Sequence, residues 1–306
     1  MGYTLAVDIG GTKIAAGIMD DKKEWVSDFT QKSDVATREA MYDCLLSTMY
    51  QAIGKAGLKK EQIDRFGVAL PGILDIESGI AIYQNNLPWR NFPLRGMLQK
   101  EFPNGTFCLE HDVSAAALGE YAVRKHVSEI FIYVTVSTGI AATILHRGEP
   151  IRGDGSAGEI GFFPIGKGTL ESNASGSAME RELNEVYKIN SIDEGMKLWH
   201  SGNLEMEGFF SEKATRLALA IFQLTASLGP EKVVLGGGVI NNQPEFFELI
   251  YKKFKLLCTH PIQNDWILKL EKSVLKEKSG LFGAATKARY LKRNAIMFGE
   301  IRPDSL

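Results

Sequence analysis

Cysteine is scarce in this chain: three in 306 residues, at Cys44, Cys108 and Cys258, far apart and in no CxxC or CxC spacing. That excludes a disulfide framework, and it excludes a zinc site legible from cysteine spacing. An odd count with no pairing pattern fits a reducing compartment, so buried apolar thiols and a cytoplasmic location are the expectation. Long apolar runs are missing as well. None approaches the ~18–20 residues of a membrane span, and Asp8 with a glycine pair interrupts the first apolar stretch, against an export signal. Charge of neither sign dominates: Lys plus Arg number 35 and Asp plus Glu 37, for a net −2. With no long single-sign run, neither nucleic acid nor a membrane surface is the expected partner. Low-complexity tracts and Pro/Ser linkers are absent too. The remainder, 44 % apolar and 24 % charged, is ordinary globular composition, long enough for two domains at ~100–200 residues each.

What is present is an alternation of strand and helix patterns. Tyr3–Asp8 reads as a buried strand and Lys13–Met19 as its partner across a Gly10–Gly11–Thr12 turn. Apolar residues from Met41 to Ala56 recur at helical spacing over Arg38–Ala56. Short strands follow at Phe66–Leu70 and Phe107–Glu110, then a helix from about Ser114 to Lys125. The opening pattern then returns: Ile130–Val136, a Ser137–Thr138–Gly139 turn, and Ile140–Leu145. DIGGTKIAAGIM and VSTGIAATIL are each strand, small-residue turn, strand, a weak internal repeat. Helical patterns at Ala174–Tyr187, Lys213–Leu228 and Pro244–Leu257 surround a strand at Lys232–Leu235 that runs into three glycines. The fold class expected is α/β, in two domains around a cleft.

Five places carry candidate chemistry. In Asp8–Lys13 two glycines and a threonine offer backbone N–H groups and a hydroxyl to an anion, and Lys13 offers a point charge. Asp8 beside an anion needs a divalent cation between them, which points to Mg²⁺, directly or through water; a plain hairpin turn is the alternative. Ser137–Thr138–Gly139 is the counterpart turn, and the two facing each other would clamp a polyphosphate. Gly236–Gly237–Gly238 after a strand suits close approach of an adenosine, or is a strand-to-helix corner. Asp112, after Glu110–His111, is a helix cap or a carboxylate base for a hydroxyl. Glu159 in Gly158–Gly161, and Glu171, are acceptors for sugar hydroxyls or surface carboxylates.

Taken together, DIGGTK, PGILD (Pro71–Asp75), NLPW (Asn86–Trp89), HDVSAAALGE (His111–Glu120), STG, AGEIG (Ala157–Gly161), LESNASG (Leu170–Gly176) and LGGGV resemble the ROK family of sugar kinases, within the actin and hexokinase fold superfamily. The resemblance runs from Asp8 to about Ala285. It implies two actin-like, ribonuclease H-like domains, 1–117 and 118–288, with a segment 289–306 packing back on the first, and often a homodimer. It implies ATP bound by Asp8, Gly10, Gly11, Thr12, Lys13, Ser137, Thr138, Gly139, Gly236, Gly237 and Gly238, with Mg²⁺ at Asp8. Asp112 matches the catalytic base, and Gly72, Asn86, His111, Asp112, Glu159, Phe162 and Glu171 fall on sugar-contacting segments. The activity implied is ATP-dependent phosphorylation of a hexose 6-hydroxyl, with glucose or a β-glucoside foremost; N-acetylmannosamine or a non-catalytic, sugar-responsive regulator are alternatives, since the family includes repressors.

Three departures stand out. Relatives usually carry Asn where this chain has His111, and His where it has Phe162. Between Phe162 and Leu170 they usually have a cysteine cluster that binds zinc, whereas this chain has Pro164–Thr169 and no cysteine. The zinc site is therefore expected to be lost, with the loop held by packing of Phe162 and Phe163. Phe162 is then a core plug or an aromatic face for a sugar or aglycone.

Overall fold

The computed structural model describes residues 2–124, 127 and 129–297. It divides into one unit of residues 1–122 and 278–306, and a second of Val123–Glu277.

In the first unit, strands β1 (Tyr3–Ile9), β2 (Lys13–Met19) and β3 (Trp25–Lys32) form an antiparallel meander. Helix α1 (Arg38–Lys55) follows, its first turn capped by Thr37, whose hydroxyl accepts from Ala40 N–H. Its Met41, Leu45, Met49 and Ile53 are buried, as their spacing predicts. Strand β4 (Ile63–Leu70) lies parallel to β1. A small sheet comes next, β5 (Ile73–Asp75), β6 (Ile80–Tyr83) and β7 (Arg90–Phe92), then α2 (Leu94–Glu101). Strand β8 (Thr106–His111) completes the large sheet parallel to β4, and α3 (Asp112–Ala122) starts on the next residue. The sheet order is β3-β2-β1-β4-β8.

The second unit repeats this. Strands β9 (Ile130–Val136) and β10 (Ile140–His146) form the hairpin, with β11 (Glu149–Pro150) at the edge. Four helices follow: α4 (Leu170–Ala174), α5 (Gly176–Glu182), α6 (Ile192–His200) and α7 (Leu204–Leu228). Strand β12 (Lys232–Gly236), helices α8 (Gly238–Asn242), α9 (Pro244–Leu257) and α10 (Asn264–Ile267), and strand β13 (Leu270–Lys272) close it. The order β11-β10-β9-β12-β13 has the same pattern of antiparallel and parallel neighbours as the first sheet. The internal repeat is thus a repeat of topology.

Two helices depart from the sequence pattern. The expected Ala174–Tyr187 helix is broken at Ser175, because the Gly176 N–H donates to Ser137 across the unit instead of to its own helix. Helix α7 begins nine residues before Lys213, so that lysine falls in its middle. It is 2 % exposed, 2.5 Å from the Glu182 carboxylate and over the Phe209 ring. Partnering is what permits a buried lysine.

The last helix, α11 (Ser279–Met297), belongs to the first unit. It packs on α3, β1, β4 and β8 through a seam of small residues: Ala6, Ala69, Ala115, Ala284 and Ala285 are buried there around Leu281. The boundaries therefore move from 117/118 to 122/123 and from 288/289 to 277/278. The first moves because α3 runs on to Ala122, the second because the packing of α11 starts at its first residues rather than at Arg289. Of the segment 289–306, residues 298–306 lie outside the described part, as does Lys125, where the second expected helix was to end. Among the described residues no helix is long and apolar enough to cross a membrane.

Backbone approach in the seam is tight. A β-carbon on Gly283 would overlap the Ala115 carbonyl, and one on Gly119 the Ser279 carbonyl. In an open helix Gly→Ala gains about 1 kcal/mol. Gly283→Ala is expected to reverse that sign, losing about 2 kcal/mol in urea unfolding through overpacking; a gain in stability would refute the close approach.

Candidate functional site

In the first unit the Gly10–Thr12 turn is stapled by Ser33, whose hydroxyl donates to Gly10 O at 2.6 Å and whose N–H donates to Thr12 O at 3.0 Å. The Gly10 N–H is spent inside the turn, on Lys13 O at 2.9 Å. Among the described residues the N–H groups of Gly11 and Thr12 and the Thr12 hydroxyl have no protein partner, which leaves them for an anion. A β-carbon on Gly11 would sit 2.8 Å from that of Asn86, so the turn lies directly against the Asn86 loop. Gly72, at φ +91°, is pressed on Tyr83 and Gln84 of the same loop. Trp89 anchors the loop in the core, with Nε1 donating to Arg38 O at 3.0 Å and its ring stacked on Phe92. The turn, Gly72 and Asn86 thus form one neighbourhood. Sequence reasoning missed Gln84, which is fully buried there with an amide oxygen that meets no donor.

The end of β8 places three titratable residues in succession. Glu110 is 1 % exposed; its Oε1 accepts the His111 N–H at 2.9 Å and its Oε2 pairs with Lys287 of α11. Asp112 opens α3, and its Oδ1 accepts the Val113 N–H at 2.8 Å. His111 Nδ1 lies 3.1 Å from the same Oδ1. Both side chains are partly exposed, and Oδ2 of Asp112 has no protein donor among the described residues. A carboxylate with one oxygen held and one free has the form of a general base.

Asp8 is a neighbour in this field. Burial pushes its carboxyl up to about 7, the Asp112 carboxylate adds to the rise, and Lys13 works against it. A raised carboxyl beside a second carboxylate, with unpaired N–H groups on the adjoining turn, fits a hard divalent cation arriving with a phosphate. Mg²⁺ takes few protein ligands and keeps water and phosphate oxygens. Among the described residues no cluster of three or more His, Cys, Asp or Glu could hold a metal.

In the second unit the Ser137–Gly139 turn is closed by Ser137 N–H on Gly139 O at 2.9 Å. The start of α5 is sewn to it: Gly176 N–H donates to Ser137 O at 2.7 Å and Ser177 N–H to Thr138 O at 3.3 Å. Beside it opens a cleft of about 270 Å³ lined by Ser137, Thr138, Gly176, Ser177, Glu180, Ser191, Ile192, Asp193, Gly238, Val239, Asn242 and Gln243. Of the three expected glycines, Gly238 lines it. Gly237 makes the corner, at φ +90° against Val136 O, and Gly236 is buried under the Tyr133 ring. Glu180, Asp193 and the Asp193–Gln243 hydrogen bond were not found from the sequence. They are scattered single polar residues with no motif around them.

Glu171 does something its expected role did not include. Its Oε2 accepts the Ile140 N–H at 2.8 Å and lies against Gly139 and Gly161, so it braces the phosphate-type turn from behind. Glu159 is exposed, on a loop hooked to β10 by Ala142 N–H on Gly158 O at 2.7 Å.

A family model described as the ROK family matches residues 4–290. The chain belongs to the ROK family. A glucokinase of Halalkalibacterium halodurans is 28 % identical over 270 residues, 78 % of this chain and 80 % of that protein. An N-acetylmannosamine kinase of Pasteurella multocida is 31 % identical over 255 residues, 77 % of this chain and 81 % of that one. The crystal structure of a ROK hexokinase from Thermus thermophilus superposes with a TM-score of 0.81 at 28 % identity, over 95 % of this chain and 99 % of that chain. Repressors also stand among the matches.

In the segment after Glu159 one expectation is corrected. Phe163 packs on the core, but Phe162 is 71 % exposed and plugs nothing. Backbone bonds hold the loop instead: Leu170 N–H on Phe163 O at 2.8 Å and Ile165 N–H on Gly168 O at 3.0 Å.

The raised Asp8 carboxyl has a stability consequence. A folded-state value of about 7 against 3.8 unfolded favours folding of the protonated form; the advantage is whole below the unfolded value and is lost as pH rises through the folded one. Asp8→Asn carries no such loss. It is expected to melt above the wild type at about pH 8, with the difference closing toward about pH 4. Equal melting temperatures across that range would rule out the buried, raised carboxyl.

Proposed function

We propose that this ROK protein is an ATP- and Mg²⁺-dependent kinase for the 6-hydroxyl of a hexose or hexose derivative, foremost glucose or a β-glucoside, working as a cytoplasmic homodimer. The observation that carries the reading is Asp112: a carboxylate at the start of a helix with Oδ1 held and Oδ2 free, beside a second carboxylate and a phosphate-type turn.

On this reading Asp112 Oδ2 takes the hydroxyl proton as the sugar oxygen forms its bond to the γ-phosphorus; the bond from that phosphorus to the β,γ-bridging oxygen breaks and ADP leaves. The free N–H groups of Gly11 and Thr12 hold phosphate oxygens, and Lys13 adds positive charge. Asp8 holds Mg²⁺, which when bound neutralises charge on the phosphates. The Thr138 turn and the Ser177, Asp193 and Gly238 cleft hold the nucleotide; acceptors such as Glu180 and Asp193 suit the exocyclic amine of adenine. Gly72, Asn86, His111, Glu159 and the free oxygen of Glu171 contact the sugar. The exposed Phe162 ring offers an apolar face to a substituent at C1, which is why an aryl β-glucoside belongs in the test.

The test is ADP release with Mg²⁺-ATP over glucose, mannose, fructose, N-acetylglucosamine, N-acetylmannosamine, cellobiose and an aryl β-glucoside. Turnover with one hexose is expected, and Asp112→Asn should lower kcat by about 10³-fold while that sugar still raises the melting temperature. Undiminished turnover in Asp112→Asn would remove the base. No turnover with any sugar, with sugars still raising the melting temperature, would favour the regulator. No stoichiometric zinc is expected on metal analysis, and chelators should leave the melting temperature unmoved; one tightly held zinc per chain would overturn that.

A further inference from the structure

The proposed base is not held by its helix alone. Asp112 Oδ1 receives the Val113 N–H, and His111 Nδ1 stands 3.1 Å from the same atom. No described residue meets the outer nitrogen, Nε2. The backbone of His111 has little freedom. Its N–H is accepted by Glu110, a carboxylate buried in the sheet and tied by Lys287 to α11, and its register is fixed opposite Leu70 in β4. What remains adjustable at this residue is the side chain, and the side chain rests on the carboxylate.

We propose that His111 is a positioning residue for Asp112. Its imidazole is the tautomer protonated at Nδ1, and that N–H occupies Oδ1 together with the Val113 N–H. Two donors on Oδ1 fix the rotation of the carboxylate about its terminal bond and direct Oδ2, with its unshared pairs, to the acceptor hydroxyl. A carboxylate held by one backbone donor retains a broad terminal torsion; a second donor from the adjoining residue closes it. The histidine does not itself accept the substrate proton. This inference rests on the kinase reading.

Chemical geometry supplies a clean test. In asparagine the amide nitrogen occupies the place of Nδ1, at the same number of bonds from the backbone, whereas in glutamine it occupies that of Nε2. His111→Asn therefore keeps a donor for Oδ1, His111→Gln moves it outward, and His111→Ala removes it. With the sugar that the wild type turns over, His111→Ala is expected to lower kcat by about 10- to 100-fold, the range found for orienting groups behind a reactive ligand. KM for ATP should stay within about threefold, because the lost interaction belongs to the reacting geometry. His111→Asn should recover most of the lost kcat, and His111→Gln should not.

Melting temperatures measured alongside separate misfolding from misplacement. The imidazole ¹⁵N spectrum gives a readout independent of turnover, the His111 signals being those absent from His111→Asn. A protonated Nδ1 with a bare Nε2 is expected, with that preference lost in Asp112→Ala. An unchanged kcat in His111→Ala, a glutamine that rescues as well as asparagine, or an Nε2–H tautomer would each overturn the proposal. The failure of the kinase reading looks different: a wild type silent on every sugar, or an Asp112→Asn as active as the wild type, withdraws the base and the positioning role with it.

Discussion

The first unit depends on the close packing of its last helix against its sheet. Helix α11 reaches α3, β1, β4 and β8 through glycine and alanine, so its backbone lies against theirs with little side chain between. Dispersion and burial reward such contact only if it is nearly free of gaps. The seam therefore leaves the helix and sheet little room to shift against each other. It does so beside Asp8, Glu110 and the helix that Asp112 opens. Gly280 abuts the Asp8 carboxylate, Gly283 meets the helix that Asp112 opens, and Lys287 pairs with the glutamate that holds the His111 N–H. A stretch more than 150 residues away in sequence thereby sets the electrostatics around the proposed base.

Polar groups in that seam are few and paired. Glu110 with Lys287, and Ser279 with Glu120, are buried where an unmatched partner would be expensive. A buried pair adds little net stability over apolar residues of similar shape. What it does impose here is direction: the Glu110 carboxylate has one oxygen for α11 and one for the backbone of the next residue. Asp8 is different in kind. It has burial without such a partner, and its carboxyl rises to about 7. A structural carboxylate would ordinarily be matched; one left for an incoming cation would not.

Much of this was legible in residues whose signal is local. The hairpins at Tyr3–Met19 and Ile130–Leu145 and the helix from Arg38 show their periods directly, and the ordered motifs identify the family. The boundaries were not legible at α11, because a seam of Gly, Ala and Ser has neither strong hydropathy nor a clear apolar stripe, and small side chains acquire meaning from what approaches them. The strands β5 to β7 are three or four residues long and offer too few positions for a pattern. Glu171 carries its motif's signature, yet the sequence could not reveal that one of its oxygens braces the Ile140 N–H. Phe162 reads equally as a core plug or as an aromatic face, and only the folded chain, with its ring exposed, removes the plug. The cleft of the second unit draws Glu180, Asp193 and Gln243 from three separate segments, and such a surface exists only after folding.

The repeat of topology explains why the two units need not do the same chemistry. In each hairpin the residue one before the last of the first strand stands at the turn: Asp8 in β1, facing Ala15, and Thr135 in β9, facing Ala141. The same place in the fold holds a carboxylate once and a hydroxyl once. The fifth strand differs one step later: β8 and β13 both carry a glutamate one before their last residue, Glu110 and Glu271, but the residue that follows the strand is Asp112 in the first unit and Ser273 in the second. A carboxylate in place of Thr135, next to its hairpin turn, would repel an anion brought to it. At these two equivalent places one unit thus carries carboxylates and the other hydroxyls. Fold sets where a site can lie, and side chains at equivalent positions decide what each copy does there.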